Sequence, residues 1–232
     1  MTRRLTVEWP DAKAFEARGG APIRLLAVSD APDPALEHEV NRQALGHLDA
    51  IVGCGDLEPS YLGFLADAFH VPLAFVRGNH DRGGQWRAMS EDAPIAMPSG
   101  RLTELSGVTI APFSWPGLGS DQVALRNERT AWWDVLRAAR QLVIRRLRRR
   151  HGPVLIVSHA PPRGVGDAAS DPYHLGYNAY RWLLERLQPP LWLHGHTTMA
   201  TVTDWRDAYG PTTVANVTGS VVVELVPPGV SS

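Results

Sequence analysis

Five polar clusters in this chain each follow directly on a short apolar run. Asp30 ends "IRLLAVSD", Asp56 ends "AIVGCGD", and Asn79, His80 and Asp81 end "PLAFVRGNHD". His159 follows "PVLIVS", and His194 and His196 close "LWLHGH". All of these are oxygen or imidazole donors, the groups that bind divalent cations. Any one of them has an ordinary explanation, since an Asp after a strand commonly caps the next helix. Five in succession do not. Ligands of open α/β sheets sit beyond the carboxyl ends of the strands, where residues distant in sequence meet. The pattern therefore predicts a metal site.

The elements that would position these residues follow one grammar. Short apolar runs, read as buried strands, alternate with helical stretches over about residues 35–48, over "PSYLGFLADAFH", over about residues 121–150 and over "YNAYRWLLERLQ". "RLTELSGVTIAPF" reads as a hairpin across Ser106 and Gly107, and "TTVANVTGSVVVEL" as two closing strands around Thr218 and Gly219. Strands alternating with helices predict an α/β domain, with a second, mixed sheet packed on the first. Residues 1–20 read as an extension ahead of a single domain spanning residues 21–232.

Composition narrows the function classes. With 232 residues and 44% hydrophobic residues, the chain is able to bury a sizeable core. A formal charge of -1 gives no overall attraction to nucleic acid or anionic membrane, and no apolar run reaches the length of a membrane span. The basic run "IRRLRRRHG" reads as the solvated end of a helix, where cations suit the dipole, before it reads as a nucleic-acid contact. Cys54 is the only cysteine, and the N-terminus lacks the apolar stretch of a signal peptide. These features predict a cytoplasmic protein with no membrane partner, and leave its oligomeric state open.

The series "SD", "CGD", "GNHD", "SHAPP" and "GHTT" resembles the calcineurin-like metallophosphoesterase superfamily in order and spacing, over residues 23–225. The resemblance implies a four-layer αββα sandwich with two mixed β-sheets. It implies hydrolysis of phosphodiesters, small phosphate esters or nucleotides by a metal-activated water. It makes Asp56 the bridging carboxylate, places Asn79, His159 and His196 in the second metal site, and leaves Asp30 in the first. His80 matches the histidine that protonates the leaving group, with Asp81 orienting it. His174 and Tyr177 fall where relatives approach the substrate. The loops over residues 82–100 and 163–173 are expected to set substrate choice.

The pattern departs from the family at two positions. Pro32 stands where the opening motif has a histidine, and Thr198 where the closing motif has another. Both losses fall on the first site, which implies one well-formed site and a second one rebuilt or vacant. Asp33 is the one nearby carboxylate able to replace a lost ligand, and between Pro32 and Pro34 it also suits a turn. Oxygen-rich ligation favours manganese, with magnesium, iron, nickel or zinc as alternatives. A second reading follows from the same two positions, a weakened or inactive metal- or phosphate-binding protein acting as a sensor or partner surface.

Overall fold

The computed structural model describes residues 2–81, 94, 96–117, 127–149, 152–168, 170–197 and 204–229. In chain order the elements are β1 (Arg3–Glu8), α1 (Lys13–Glu16), β2 (Ile23–Ser29), a 3-10 turn (Pro34–Glu37), α2 (Glu39–Leu45), β3 (Ala50–Gly53), α3 (Pro59–Phe69) and β4 (Leu73–Phe75). They continue with β5 (Thr103–Leu105), β6 (Val108–Phe113), α4 (Glu128–Leu147), β7 (Val154–Ser158), α5 (Asn178–Leu187), β8 (Leu191–His194), β9 (Arg206–Tyr209), β10 (Thr212–Asn216) and β11 (Gly219–Val226). One sheet has the order β1-β11-β2-β3-β4 and the other β5-β6-β7-β8-β10-β9. Both are mixed, because β11 runs antiparallel to β2 while β5 and β9 run antiparallel to their neighbours.

Strand alternation produces the four layers. In β2, Leu25 and Ala27 face the core between the sheets, while Leu26 and Val28 face the helices outside. In β8, Leu191 and Leu193 face inward and Trp192 faces α4 and α5. Both faces of these strands are thus buried, so their sequences read as continuous apolar runs. Each fully buried Leu, Ile or Val contributes roughly 1.5–3 kcal/mol relative to an exposed one.

Three expectations change. Part of residues 1–20 lies inside the fold: β1 pairs with β11, and Leu5, Val7, Trp9 and Phe15 enter the inter-sheet core. The helix read over residues 35–48 is broken at His38, whose backbone is extended, between the 3-10 turn and α2. The long helix begins at Glu128, capped by the Asn127 side chain accepting from the Thr130 N–H, and residues 118–126 lie outside the described residues. The two closing strands form as expected, and they lie in different sheets, β10 in one and β11 in the other. The chain therefore crosses between sheets at Val217 and Thr218. No helix among the described residues is long and apolar enough to cross a membrane.

Candidate metal centre

The parallel strands of both sheets deliver their polar ends to one crevice. Asp30, Asp56 and Asn79 come from the ends of β2, β3 and β4, and His159 from the end of β7 in the other sheet. Ligand atoms of Asp30, Asp56 and His159 all lie within 4.8 Å of one another. Asn79 joins them, its Oδ1 2.8 Å from His159 Nε2, which is also 3.2 Å from Asp56 Oδ2.

Backbone geometry holds the carboxylates in place. Asp30, Asp56 and His196 have φ of 62°, 56° and 66°, in the left-handed region that non-glycine residues rarely occupy. Such strain persists where surrounding bonds over-determine it. The Asp30 N–H donates to Gly55 O at 3.0 Å, and the His196 N–H donates to the Asp30 carboxylate at 3.0 Å. Two glycines are required by close approach: a Cβ on Gly78 would stand 2.1 Å from Asp56 Oδ1, and one on Gly195 2.3 Å from Asp30 Oδ2. This is the physical content of the "GN" and "GH" pairs.

The electrostatics are asymmetric. Burial pushes Asp56 up, but the His159 charge, the His159 hydrogen bond and the His80 N–H outweigh it and hold the carboxyl below its usual range. Burial likewise pushes His159 down, yet Asp56 prevails, with Asp30 and the Cys54 carbonyl adding to it, and the imidazole pKa rises to about 9. Asp30 goes the other way, raised by burial despite the His159 charge. The pocket is thus able to retain a positive charge between Asp56 and His159 although His159 is fully buried.

These observations fit a divalent cation. Three oxygen donors and one imidazole converge, and His159 Nδ1 lies 2.8 Å from the Cys54 carbonyl, which fixes the ring and leaves Nε2 facing Asp56 and Asn79.

Other predicted residues fall in different places. His80 is exposed at the rim, and its backbone N–H donates to Asp56 Oδ1 at 2.7 Å. Asp81 is buried, and its bonds among the described residues are not to His80: its carboxylate accepts from the Asp56 N–H at 2.9 Å and the Gly78 N–H at 2.6 Å, tying the loops after β3 and β4 together. His196 is outside the convergence: its Nε2 lies 2.9 Å from the Tyr173 carbonyl, and its ring is 5.0 Å from those of both His159 and His174. His174 is partly exposed and paired with Asp171. Tyr177 is fully buried against Trp115 and Tyr180, so in this conformation it shapes the wall beneath the site without reaching the surface. Asp33 forms a turn, accepting from the Ala35 N–H at 2.9 Å and from the Ser220 hydroxyl, which leaves it no part in the cluster. Pro32 is exposed, and Thr198 lies outside the described residues.

The two histidines of "LWLHGH" differ in kind. His194 stays in β8, fully buried, and burial pushes its pKa down to about 4, so it is a neutral packing residue. His196 lies beyond the strand, and its N–H, not its ring, serves Asp30.

Two supports of the site were not anticipated. Thr218 Oγ1 lies 3.1 Å from Asp30 Oδ2, and Asn216 Nδ2 donates to Thr197 Oγ1 at 2.8 Å while its Oδ1 accepts from the Thr218 N–H at 2.9 Å. The sequence signal was the sheet crossing at "NVTGS". Trp115 packs its ring 4.7 Å from His196 and 5.9 Å edge-on to His159.

Among solved structures, TT1561 of Thermus thermophilus is 18% identical with a TM-score of 0.58, covering 85% of this chain and 90% of its own. The sulfate thiohydrolase SoxB from Thermus thermophilus, in complex with glycerol, is 14% identical with a TM-score of 0.42, covering 83% of this chain and 42% of its own. No curated protein matches the sequence. The first of these likenesses shows a shared fold. Residues 46–199 match the family model described as calcineurin-like phosphoesterase, so the chain belongs to that family of metal-dependent phosphoesterases.

Proposed function

We propose that the protein hydrolyses phosphodiesters or small phosphate esters, nucleotides among them, using one divalent cation held by Asp30, Asp56, Asn79 and His159. The observation that carries this reading is the convergence of three charged or ionisable ligands from both sheets, with Asn79 bonded to one of them. When bound, such a cation lowers the pKa of a water and offsets charge on the phosphoryl oxygens. Asp56 and Asn79 supply hard oxygen donors, a set that suits manganese or magnesium. Asp81 holds the Asp56 and Gly78 loops at fixed spacing. His80, exposed and bonded to Asp56 through its backbone N–H, gives a proton to the leaving oxygen in this reading. His174, in contact with His196 at the rim, contributes to holding substrate.

The test is turnover of bis(p-nitrophenyl) phosphate and p-nitrophenyl phosphate with manganese, magnesium, nickel or cobalt. The expected result is activity that is lost in Asp56→Asn. Absence of turnover with every metal, or equal rates for the wild type and that variant, would overturn the enzyme reading and favour a binding role, to which Pro32 already points.

A further inference from the structure

Helix α4 has two apolar faces. Ala131, Val135 and Ala138 are buried against the sheet. On the opposite side Arg129, Trp133, Leu136, Arg140, Val143 and Leu147 recur at alternating steps of four and three, which keeps them on one narrow stripe at 3.6 residues per turn. Their apolar members are open to solvent: Trp133 is 70% exposed, Leu136 51%, Val143 57% and Leu147 79%. Among the described residues only Val40 and Tyr173 are other large apolar side chains so exposed.

Beyond Asp134 the charge along this helix has one sign. Residues 135–149 carry arginine at positions 137, 140, 145, 146, 148 and 149 and no carboxylate. Arg145 is paired with Glu104 at 2.8 Å, whereas Arg140, Arg146, Arg148 and Arg149 have no ion pair among the described residues. A whole-chain charge near zero conceals this segregation.

We propose that the outer face of α4 docks the protein onto an anionic lipid surface. The helix lies along the outside of its sheet, so its exposed face meets a plane side-on. Tryptophan and leucine suit the boundary between headgroups and acyl chains, and arginine suits the phosphates above it. A second copy is disfavoured, because pairing two such helices antiparallel brings Arg137 and Arg140 of each together at the centre. A folded protein partner is disfavoured because Arg140 interrupts the apolar side chains, which leaves no continuous patch to pack against. The expectation of no membrane contact rested on net charge and the lack of a spanning run, and neither bears on one helix face.

The experiment is co-sedimentation of the full chain with vesicles of phosphatidylglycerol and phosphatidylcholine, and with phosphatidylcholine alone. Binding to the anionic vesicles is expected, weakening as salt rises. Arg140→Glu with Arg148→Glu is expected to weaken it by more than about tenfold, and Trp133→Ser with Leu147→Ser to weaken it as well. These side chains are exposed, and a thermal melt by circular dichroism verifies that each variant folds. Wild-type protein that stays in the supernatant, or variants that bind as well as the wild type, would overturn the proposal. So would self-association that these substitutions abolish without any vesicle binding, which would assign the face to a second copy.

Discussion

Asp56 and Asp30 stand at the ends of neighbouring strands, and their surroundings pull them in opposite directions. Asp56 is held ionised by His159 and the His80 N–H, while burial raises Asp30, whose oxygens are met by the His196 N–H and the Thr218 hydroxyl. Both carboxylates accept hydrogen bonds from the protein; what separates them is that the His159 charge and bonds outweigh burial at Asp56 and do not at Asp30. Pro32 lies on the Asp30 side, where the resemblance places an imidazole. Two donors of one cluster are thus set apart by the balance of burial against neighbouring charge.

The sharpest way to break this contrast is to compare Asp56→Asn with Asp30→Asn. Groups that merely orient a ligand are worth about 10–100-fold in metal affinity, so removing the ligand Asp56 is expected to cost more than about a hundredfold. Asp30→Asn is expected to cost less, as measured by titration calorimetry with manganese. Equal losses would erase the distinction. His80→Ala is expected to lower kcat by about a hundredfold and leave metal affinity unchanged, which separates proton transfer from cation binding. A parallel loss of affinity would place His80 in the metal site.

His159 takes a proton in the metal-free protein with a pKa of about 9, and ligation requires the neutral ring. Metal affinity is therefore expected to rise about tenfold per pH unit from neutrality until it levels off near pH 9. Without metal the sign for stability is opposite. The raised pKa stabilises the fold fully below about pH 6.5, and that contribution is lost as pH rises through about 9, which thermal melts in chelator will show. The smallest expected effect is that of Thr218→Val, which removes one donor from Asp30 and should cost about tenfold or less in metal affinity.

Most of the fold was legible because the strands are buried on both faces and read as unbroken apolar runs. What the pattern missed was set by distant contacts. Residues 3–16 belong to the sandwich because β1 finds its partner in β11, near the opposite end of the chain. β9 escaped because "RDAY" is a polar edge strand with no apolar period. At the site, Asp30, Asp56, Asn79 and His159 were readable from residue type and position after strands. The roles of Asp81 and His196 were not, because each acts at a backbone N–H or through its own N–H, which a motif of side chains does not encode.

One cation per chain, shared by Asp30, Asp56, Asn79 and His159, is the occupancy this cluster is expected to hold. Metal content by inductively coupled plasma mass spectrometry on protein loaded with manganese and freed of excess tests it directly. The expected ratio is one ion per chain, rising to two in the Pro32→His, Thr198→His double variant. Two ions in the wild type would mean that the Asp30 side holds an ion of its own despite Pro32 and Thr198.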